Sequence, residues 1–119
     1  MTYAKFQAYF EESAERELAQ YNAMPLQELL RQARSGKLGE YYQIWHSIAQ
    51  RAVATEVTDF LLSFLSSSSS YLHRYHCASA LISLNGLGAS GWEAHHLSAE
   101  ALHPVAQNLA EVRHQLSAG

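Results

Sequence analysis

The segment at residues 57–84 constrains the fold of this chain more than any other part of its sequence. Its first half repeats apolar side chains at the spacing of one helix face: Val57, Phe60, Leu61, Phe64 and Leu65. The serine run at residues 66–70 then interrupts the pattern, and serines compete for backbone hydrogen bonds, which favours a turn or a helix cap. We therefore predict that this helix ends near the serines and that Ser69 or Ser70 caps the next one.

The second half of the segment predicts a helix whose buried side changes from small residues to leucines. That side consists of Cys77, Ala78, Ala80, Leu81 and Leu84. Small residues allow two helix backbones to approach closely. Asn85 and Gly86 should end this helix, because both residue types tolerate the left-handed conformation of a C-cap. Residues 57–84 are thus expected to form a helical hairpin.

This second helix resembles the second helix of a HEAT-type repeat. The resemblance lies in an arginine, a pair of small residues, an Ala-Leu step and a final leucine: Arg74, Cys77, Ala78, Ala80, Leu81 and Leu84. Residues 57–65 are similar to the first helix of such a repeat, whereas the inter-helix turn has Ser70 where the family usually has an acidic residue. The resemblance implies an α-helical repeat scaffold that binds other macromolecules, and it implies no catalytic residue.

An earlier hairpin, at residues 25–52, aligns with this segment at a fixed offset of 32 residues. The aligned pairs share hydrophobic class: Leu29 with Leu61, Leu30 with Leu62, Ala33 with Leu65, Trp45 with Cys77, Ile48 with Ala80 and Ala52 with Leu84. A period of this size is typical of helical-hairpin repeats. We expect its second helix over residues 40–52, with Tyr42 and Trp45 facing inward, as a terminal and therefore atypical repeat.

A helix is also expected at the N-terminal side, within residues 1–23. Thr2 is its candidate N-cap, and Pro25, which disfavours helical geometry at Met24, is well placed to start the following helix. The inward stripe of the first helix is expected to be Tyr3, Phe6, Phe10, Ala14, Leu18 and Tyr21. The four glutamates between residues 11 and 17 lie mostly off this stripe and predict a solvated face.

The C-terminal side is expected to hold one or two helices within residues 92–117. The glycine-rich stretch at residues 85–91 predicts a linker without regular structure. Ser98 is a candidate N-cap for a helix with the stripe Leu102, Val105, Leu109, Val112 and Leu116. Pro104 interrupts this stripe, so either the helix is kinked there or a short turn ends at His103 and Pro104 starts the final helix. The predicted architecture is a single all-α domain of five or six helices.

Charge and composition narrow the classes of partner. The formal net charge is −3, and the eight Lys and Arg residues are scattered, which disfavours nucleic acid. No apolar run approaches the length of a membrane span, and the first residues lack the apolar core of a signal peptide. A single cysteine excludes an internal disulfide framework. We therefore expect a cytoplasmic protein that does not bind nucleic acid or membranes.

Candidate chemical groups are few, and none of them predicts a cofactor. His73 and His76 share one helix face and could ligate a metal with a third ligand, although surface histidines are the simpler interpretation. The adjacent His95 and His96 should point apart on a helix. Cys77 lies on the face predicted to be buried, which argues against a nucleophile and for a small hydrophobic residue. The glycines of residues 86–91 match a dinucleotide fingerprint in spacing only, because no strand precedes them.

The aromatic residues are more informative, since Tyr, Trp and Arg dominate binding hot spots. Five residues near the turns and second helices have no evident core role and form the predicted partner-binding set: Tyr41, Tyr71, Arg74, Tyr75 and Trp92. Alternatively, they close the ends of the core, and Arg74 braces a neighbouring turn. We predict a non-catalytic protein-binding module, such as an adaptor, an inhibitor or a bacterial immunity protein. The alternatives are a ligand- or metal-binding helical protein that uses its histidines and a small cysteine-dependent enzyme.

The predicted register places Cys77 against the helix that contains Val57 and Leu65. Cys77→Ser should lower the free energy of unfolding by about 1–3 kcal/mol, because it buries a hydroxyl without an assured partner. Cys77→Ala should cost less in the same denaturant titration. Negligible effects of both changes, together with fast thiol labelling of the native protein, would show that the register is wrong.

Overall fold

The computed structural model describes residues 2–68, 70–98 and 102–118, and in this part of the chain all regular secondary structure is helical. The predicted all-α class is confirmed, but the described residues form seven α-helices and not five or six. Their bounds are α1 Tyr3–Ala23, α2 Leu26–Arg34, α3 Gln43–Arg51, α4 Ala54–Ser67, α5 Tyr71–Asn85, α6 Ala94–Ser98 and α7 Leu102–Ala118. The chain divides into two compact units, Met1–Ala52 and Val53–Gly119, which are described separately.

In the first unit, α1 begins and ends as its flanking residues predict. Thr2 is the N-cap, and its hydroxyl accepts a hydrogen bond from Lys5 N at 3.2 Å. The helix ends before Met24, which is extended (φ −85°, ψ 144°) because Pro25 follows it. The core of this unit is formed by side chains from all three helices: Tyr21, Leu29, Leu30, Ala33, Ile44, Trp45 and Ile48.

The inward stripe predicted for α1 is buried only toward its C-terminal end. Tyr21 lies in the core, whereas Tyr3, Phe6 and Phe10 are exposed, so the prediction is wrong for the first half of the helix. The reason is length. At 1.5 Å per residue, the 21 residues of α1 span ~32 Å, whereas the nine residues of α3, on which α1 packs, span ~14 Å. The N-terminal half of α1 therefore extends past the core that its own stripe was expected to join.

Glu17 holds the segment between α2 and α3 against α1. Its carboxylate accepts hydrogen bonds from three backbone amides, Glu40 N at 2.7 Å, Tyr41 N at 2.9 Å and Gln43 N at 3.3 Å. Gly39 lies directly beneath this carboxylate with φ +73°, and a methyl group there would overlap Glu17 Oε1. The glutamate that was expected on a solvated face thus accepts from the first amide of α3 and fixes the preceding loop.

In the second unit, α4 and α5 form the predicted hairpin. Ser70 is the N-cap of α5, with its hydroxyl accepting from His73 N at 3.4 Å, and Gly86 is the left-handed C-cap (φ 65°). Ser69 lies outside the described residues. Cys77 is fully buried, and its Sγ donates to Leu61 O of α4 at 3.6 Å, which confirms the predicted packing of Cys77 on this helix.

The connection after α5 is more ordered than predicted. Leu87–Ser90 form a 3₁₀ helix where a linker without regular structure was expected, and Leu87 is buried. Ser98 does not precede a helix as its N-cap: it is the last residue of α6, where its hydroxyl donates to Ala94 O at 2.7 Å. Helix α7 begins at Leu102, so Pro104 lies in its first turn, where a missing amide hydrogen is tolerated.

Most of the aligned pairs of the proposed repeat are buried in both hairpins, whereas the last pair, Ala52 and Leu84, is half-buried. Trp45 and Cys77 are both fully buried, as are Leu29 and Leu61. The hairpins differ in size, with nine residues in each helix of the earlier one and fourteen or fifteen in each helix of the later one. A common HEAT-like origin of the two hairpins stays a prediction.

The Glu17 contacts generate a prediction for the first unit. Glu17→Gln keeps the side-chain size but removes the charge and one acceptor oxygen from the three amides, so it should lower the free energy of unfolding by about 1–3 kcal/mol. Glu15→Gln is the matched control, because Glu15 is exposed on the same helix. Equal melting temperatures for the two variants would contradict the capping role of Glu17.

Candidate functional site

The five residues of the predicted partner-binding set do not share one environment. Tyr41 belongs to the first unit and lies in the loop before α3, not on a second helix as expected. The other four belong to the second unit: Tyr71, Arg74 and Tyr75 on α5, and Trp92 between the 3₁₀ helix and α6.

Tyr71 and Tyr75 lie one turn apart on the first half of α5 and are both 39% exposed. Their ring centroids are 6.4 Å apart. Leu72, which the sequence analysis did not single out, is 47% exposed beside them. These three side chains form a small apolar strip that is open to solvent, and they fit the predicted binding role of Tyr71 and Tyr75.

Trp92 has an intramolecular role. Its indole Nε1 donates to Gln115 Oε1 of α7 at 3.3 Å, and its ring meets His96 edge-on at 5.8 Å. The adjacent His95 and His96 do not point apart as expected, because their ring centroids are only 4.1 Å from each other. Trp92 is partly exposed, so it ties the connection after α5 to α7 and shows only part of its surface.

Arg74 is buried, which is the clearest departure from the predicted binding set. It is 5% exposed, whereas a contact residue for a partner protein must be accessible. Its Nη2 donates to Leu97 O of α6 at 3.5 Å, and this contact fits the alternative in which Arg74 braces a neighbouring segment. Among the described residues, no carboxylate lies within 4 Å of it, and its Nε has no hydrogen-bond partner.

Cys77 is placed for packing. Burial raises the pKa of the Cys77 thiol far above its usual value, and the nearby positive charge of Arg74 offsets only part of this effect. A thiol in this state is protonated at neutral pH, and the thiolate is the reactive form. The location of Cys77 therefore gives no support to the alternative of a cysteine-dependent enzyme.

The histidines do not gather into a metal-binding arrangement in the part of the chain that the structure describes. No group of three His, Cys, Asp or Glu side chains is close enough there to hold a metal ion. His95 instead lies 3.2 Å from a carboxylate oxygen of Glu93, and both side chains are largely exposed. These positions give no support to a metal-dependent function.

A set of exposed aromatic side chains lies on the N-terminal half of α1. We call it the α1 aromatic face, and it consists of Tyr3, Phe6, Tyr9 and Phe10, whose exposed fractions are 79%, 55%, 53% and 41%. Tyr41 extends it, because its ring packs edge-on against Phe10 at a centroid distance of 5.4 Å. The spacing of Tyr3, Phe6 and Phe10 was visible in the sequence, but it was interpreted as a core stripe.

This face continues the buried side of α1. Tyr3 and Tyr21 are 18 residues apart, which is five helical turns, so they lie on the same side of the helix. Tyr21 is covered by the core of the first unit, whereas Tyr3 is open to solvent. The arrangement is that of an amphipathic helix whose apolar side is covered in its C-terminal half and exposed to solvent in its N-terminal half, as far as the described residues extend.

Comparison with known proteins finds no matching family model, curated sequence or solved structure. The HEAT-like resemblance therefore stays a prediction. Among the described residues, none of the helices combines the length and the apolar character needed to cross a membrane.

The burial of Arg74 generates a stability prediction. Arg74→Met keeps much of the side-chain volume and removes a buried charge that has no counter-ion among the described residues, so it should leave the free energy of unfolding unchanged or raise it by up to about 4 kcal/mol. Arg74→Ala should be less stable than Arg74→Met in the same urea titration, because it leaves a cavity.

Tyr75→Met is the control on the same helix, where an exposed side chain should have only a small effect. A loss of about 3 kcal/mol or more in Arg74→Met would mean that the guanidinium is a paired structural brace.

Proposed function

We propose that this chain is a non-catalytic protein-binding module and that the α1 aromatic face is its main contact surface. The observation that carries the proposal is the exposure of Tyr3, Phe6 and Phe10 at helical positions i, i+3 and i+7. This spacing is that of an amphipathic helix that lays its apolar side into a groove of a partner. Single exposed apolar residues are common, but a contiguous aromatic face on one helix marks an interaction site.

The charge next to this face indicates the chemistry of the partner. Glu11, Glu12 and Glu15 follow the α1 aromatic face along the helix and are exposed. A matching surface would have an apolar groove with lysines or arginines at the end that receives these glutamates. The partner that fits best is a protein with such a basic-rimmed groove.

The apolar strip on α5 is the second candidate contact. Tyr71 and Tyr75 stay in the predicted partner-binding set because they are exposed, and Leu72 joins them. Tyr41 stays in the set through its packing on Phe10. Trp92 is only partly exposed, and Arg74 is excluded from the contact residues because it is buried.

An adaptor, or an inhibitor such as a bacterial immunity protein in the cytoplasm, is the concrete form of this proposal. The net charge of −3 and the exposed aromatic face support such a role for a small helical protein. The HEAT-like resemblance adds to it, since repeats of that type are binding scaffolds. An affinity for nucleic acid is not part of the proposal, because the basic residues are few.

The test compares partner capture by wild-type protein with capture by the double variant Phe6→Ala/Tyr9→Ala. Alanine preserves the helix and removes two exposed aromatic side chains, so folding should be unchanged. A partner that docks on this face should bind the double variant at least ~30-fold more weakly in a titration with the purified complex, as hot-spot aromatics do. Circular dichroism melts of both proteins check that the fold is intact.

Ala8→Gln is the matched control, because Ala8 is an exposed residue on the opposite side of the same helical turns. It should bind the partner with an affinity close to that of the wild type. Equal affinity of the double variant and the wild type would overturn the α1 aromatic face as the site and leave Tyr75→Ala as the next test. Concentration-dependent dimers that the double variant abolishes would instead identify a second copy as the occupant.

A further inference from the structure

Arg74 places a positive charge inside the second unit without a compensating negative charge among the described residues. The residue is 5% exposed, its Nε has no acceptor among the described residues, and its Nη2 donates to the carbonyl oxygen of Leu97 at 3.5 Å. A guanidinium carries five donor hydrogens, and within the described residues the Nε hydrogen of Arg74 is unsatisfied. Burial of a charge is costly unless the charge is paired, so an anion is the group that the described surroundings of Arg74 lack.

A cavity of about 220 Å³ lies beside Arg74, between α4, α5 and α7. Its polar lining consists of Arg74, Arg113 and Ser66, and the larger apolar side chains around it are Leu65, Val105 and Leu109. Arg113 Nη2 donates to Ser66 Oγ at 3.4 Å, so the second guanidinium is held at this cavity by a neighbour on α4. Arg113 is exposed, whereas Arg74 is buried, and the cavity thus has one arginine at its surface and one at depth.

We propose that this cavity binds a short aliphatic carboxylate, with the anionic head at Arg74 and Arg113 and the aliphatic chain against the apolar side chains. Arginine is the residue best suited to a carboxylate, because its planar fork presents parallel N–H donors to the two oxygens. The charge of the bound carboxylate compensates the buried guanidinium, so the gain from pairing is large at this position.

The size and lining of the cavity define the ligand more closely. A volume of 220 Å³ equals about seven water volumes, which suits an anion of roughly seven non-hydrogen atoms such as pentanoate. Leu65, Val105 and Leu109 give no hydrogen bonds, so a phosphate would leave its remaining oxygens against apolar groups. A carboxylate concentrates its charge at one end and leaves an apolar tail for these walls.

This site is independent of the protein-binding function proposed above. Its residues belong to α4, α5 and α7, whereas the α1 aromatic face belongs to the first unit. Failure of one proposal therefore leaves the other intact.

The test uses the full chain and sodium pentanoate, with 1-pentanol as the uncharged analogue and inorganic phosphate at equal ionic strength as the second anion. Pentanoate should bind with a dissociation constant below about 1 mM in calorimetry, and the melting temperature should rise with the logarithm of its concentration. Pentanol and phosphate should each bind at least tenfold more weakly. Absence of pentanoate binding, or equal binding of pentanol, would overturn the proposal, and tighter binding of phosphate would overturn the carboxylate class.

Variants locate the binding. Arg74→Met and Arg113→Met should each weaken pentanoate binding at least tenfold, whereas Arg31→Met, at an exposed ion pair with Glu28 in the first unit, should leave it unchanged. Ala106→Phe keeps both arginines but places a large side chain in the lining of the cavity, so it should weaken binding as well. If Arg74→Met does not fold, Ala106→Phe still tests whether pentanoate binds in this cavity. Wild-type affinity in both Arg113→Met and Ala106→Phe would place the binding elsewhere and overturn the proposal.

Discussion

The close approach of α5 to α4 is the contact on which the second unit depends. Cys77, Ala78 and Ala80 present small side chains on the buried side of α5, and all three are almost inaccessible to solvent. Cys77 Sγ lies 3.6 Å from the carbonyl oxygen of Leu61, so a side chain of one helix touches the backbone of the other. Larger residues at this position would force the helices apart. This same approach sets the position of Arg74, which lies one turn earlier on α5 and is enclosed with it.

In the first unit, polar contacts at the ends of the helices help to hold the short helices together. Glu17 accepts three amide hydrogens at the start of α3, and Arg51 at its end donates to the carbonyl oxygens of Tyr21 and Met24 at 2.8 and 2.5 Å. Two helices of nine residues cannot bury as much apolar surface as the longer pair in the second unit. Charged groups that satisfy the exposed ends of the helices therefore contribute more to this unit.

The sequence predicted burial correctly where a second helix covers the apolar face of a helix along its whole length. Leu61, Cys77 and Ala80 were predicted to be buried and are, because α4 and α5 are long enough to cover each other. The role of Glu17 could not be predicted, since the amides that donate to its carboxylate lie more than twenty residues away and depend on the left-handed geometry of Gly39 and Tyr42. Likewise, a period of 3.6 residues defines one side of α1 but does not tell where along the helix the core ends.

The same limits apply to the candidate sites. Its residue type alone made Arg74 a candidate hot-spot residue. Whether an arginine on a helix is exposed, however, depends on the helices that pack around it, and the sequence of that one helix does not show this packing. The α1 aromatic face and the buried Arg74 reverse the usual distribution, in which aromatic side chains are covered and charges are solvated. Neither the exposed aromatic face nor the buried Arg74 stabilises the isolated chain. Natural proteins depart from such rules mainly at functional sites, where a ligand or partner supplies the missing contact. An apolar groove would supply it for the α1 aromatic face, and an anion would supply it for Arg74.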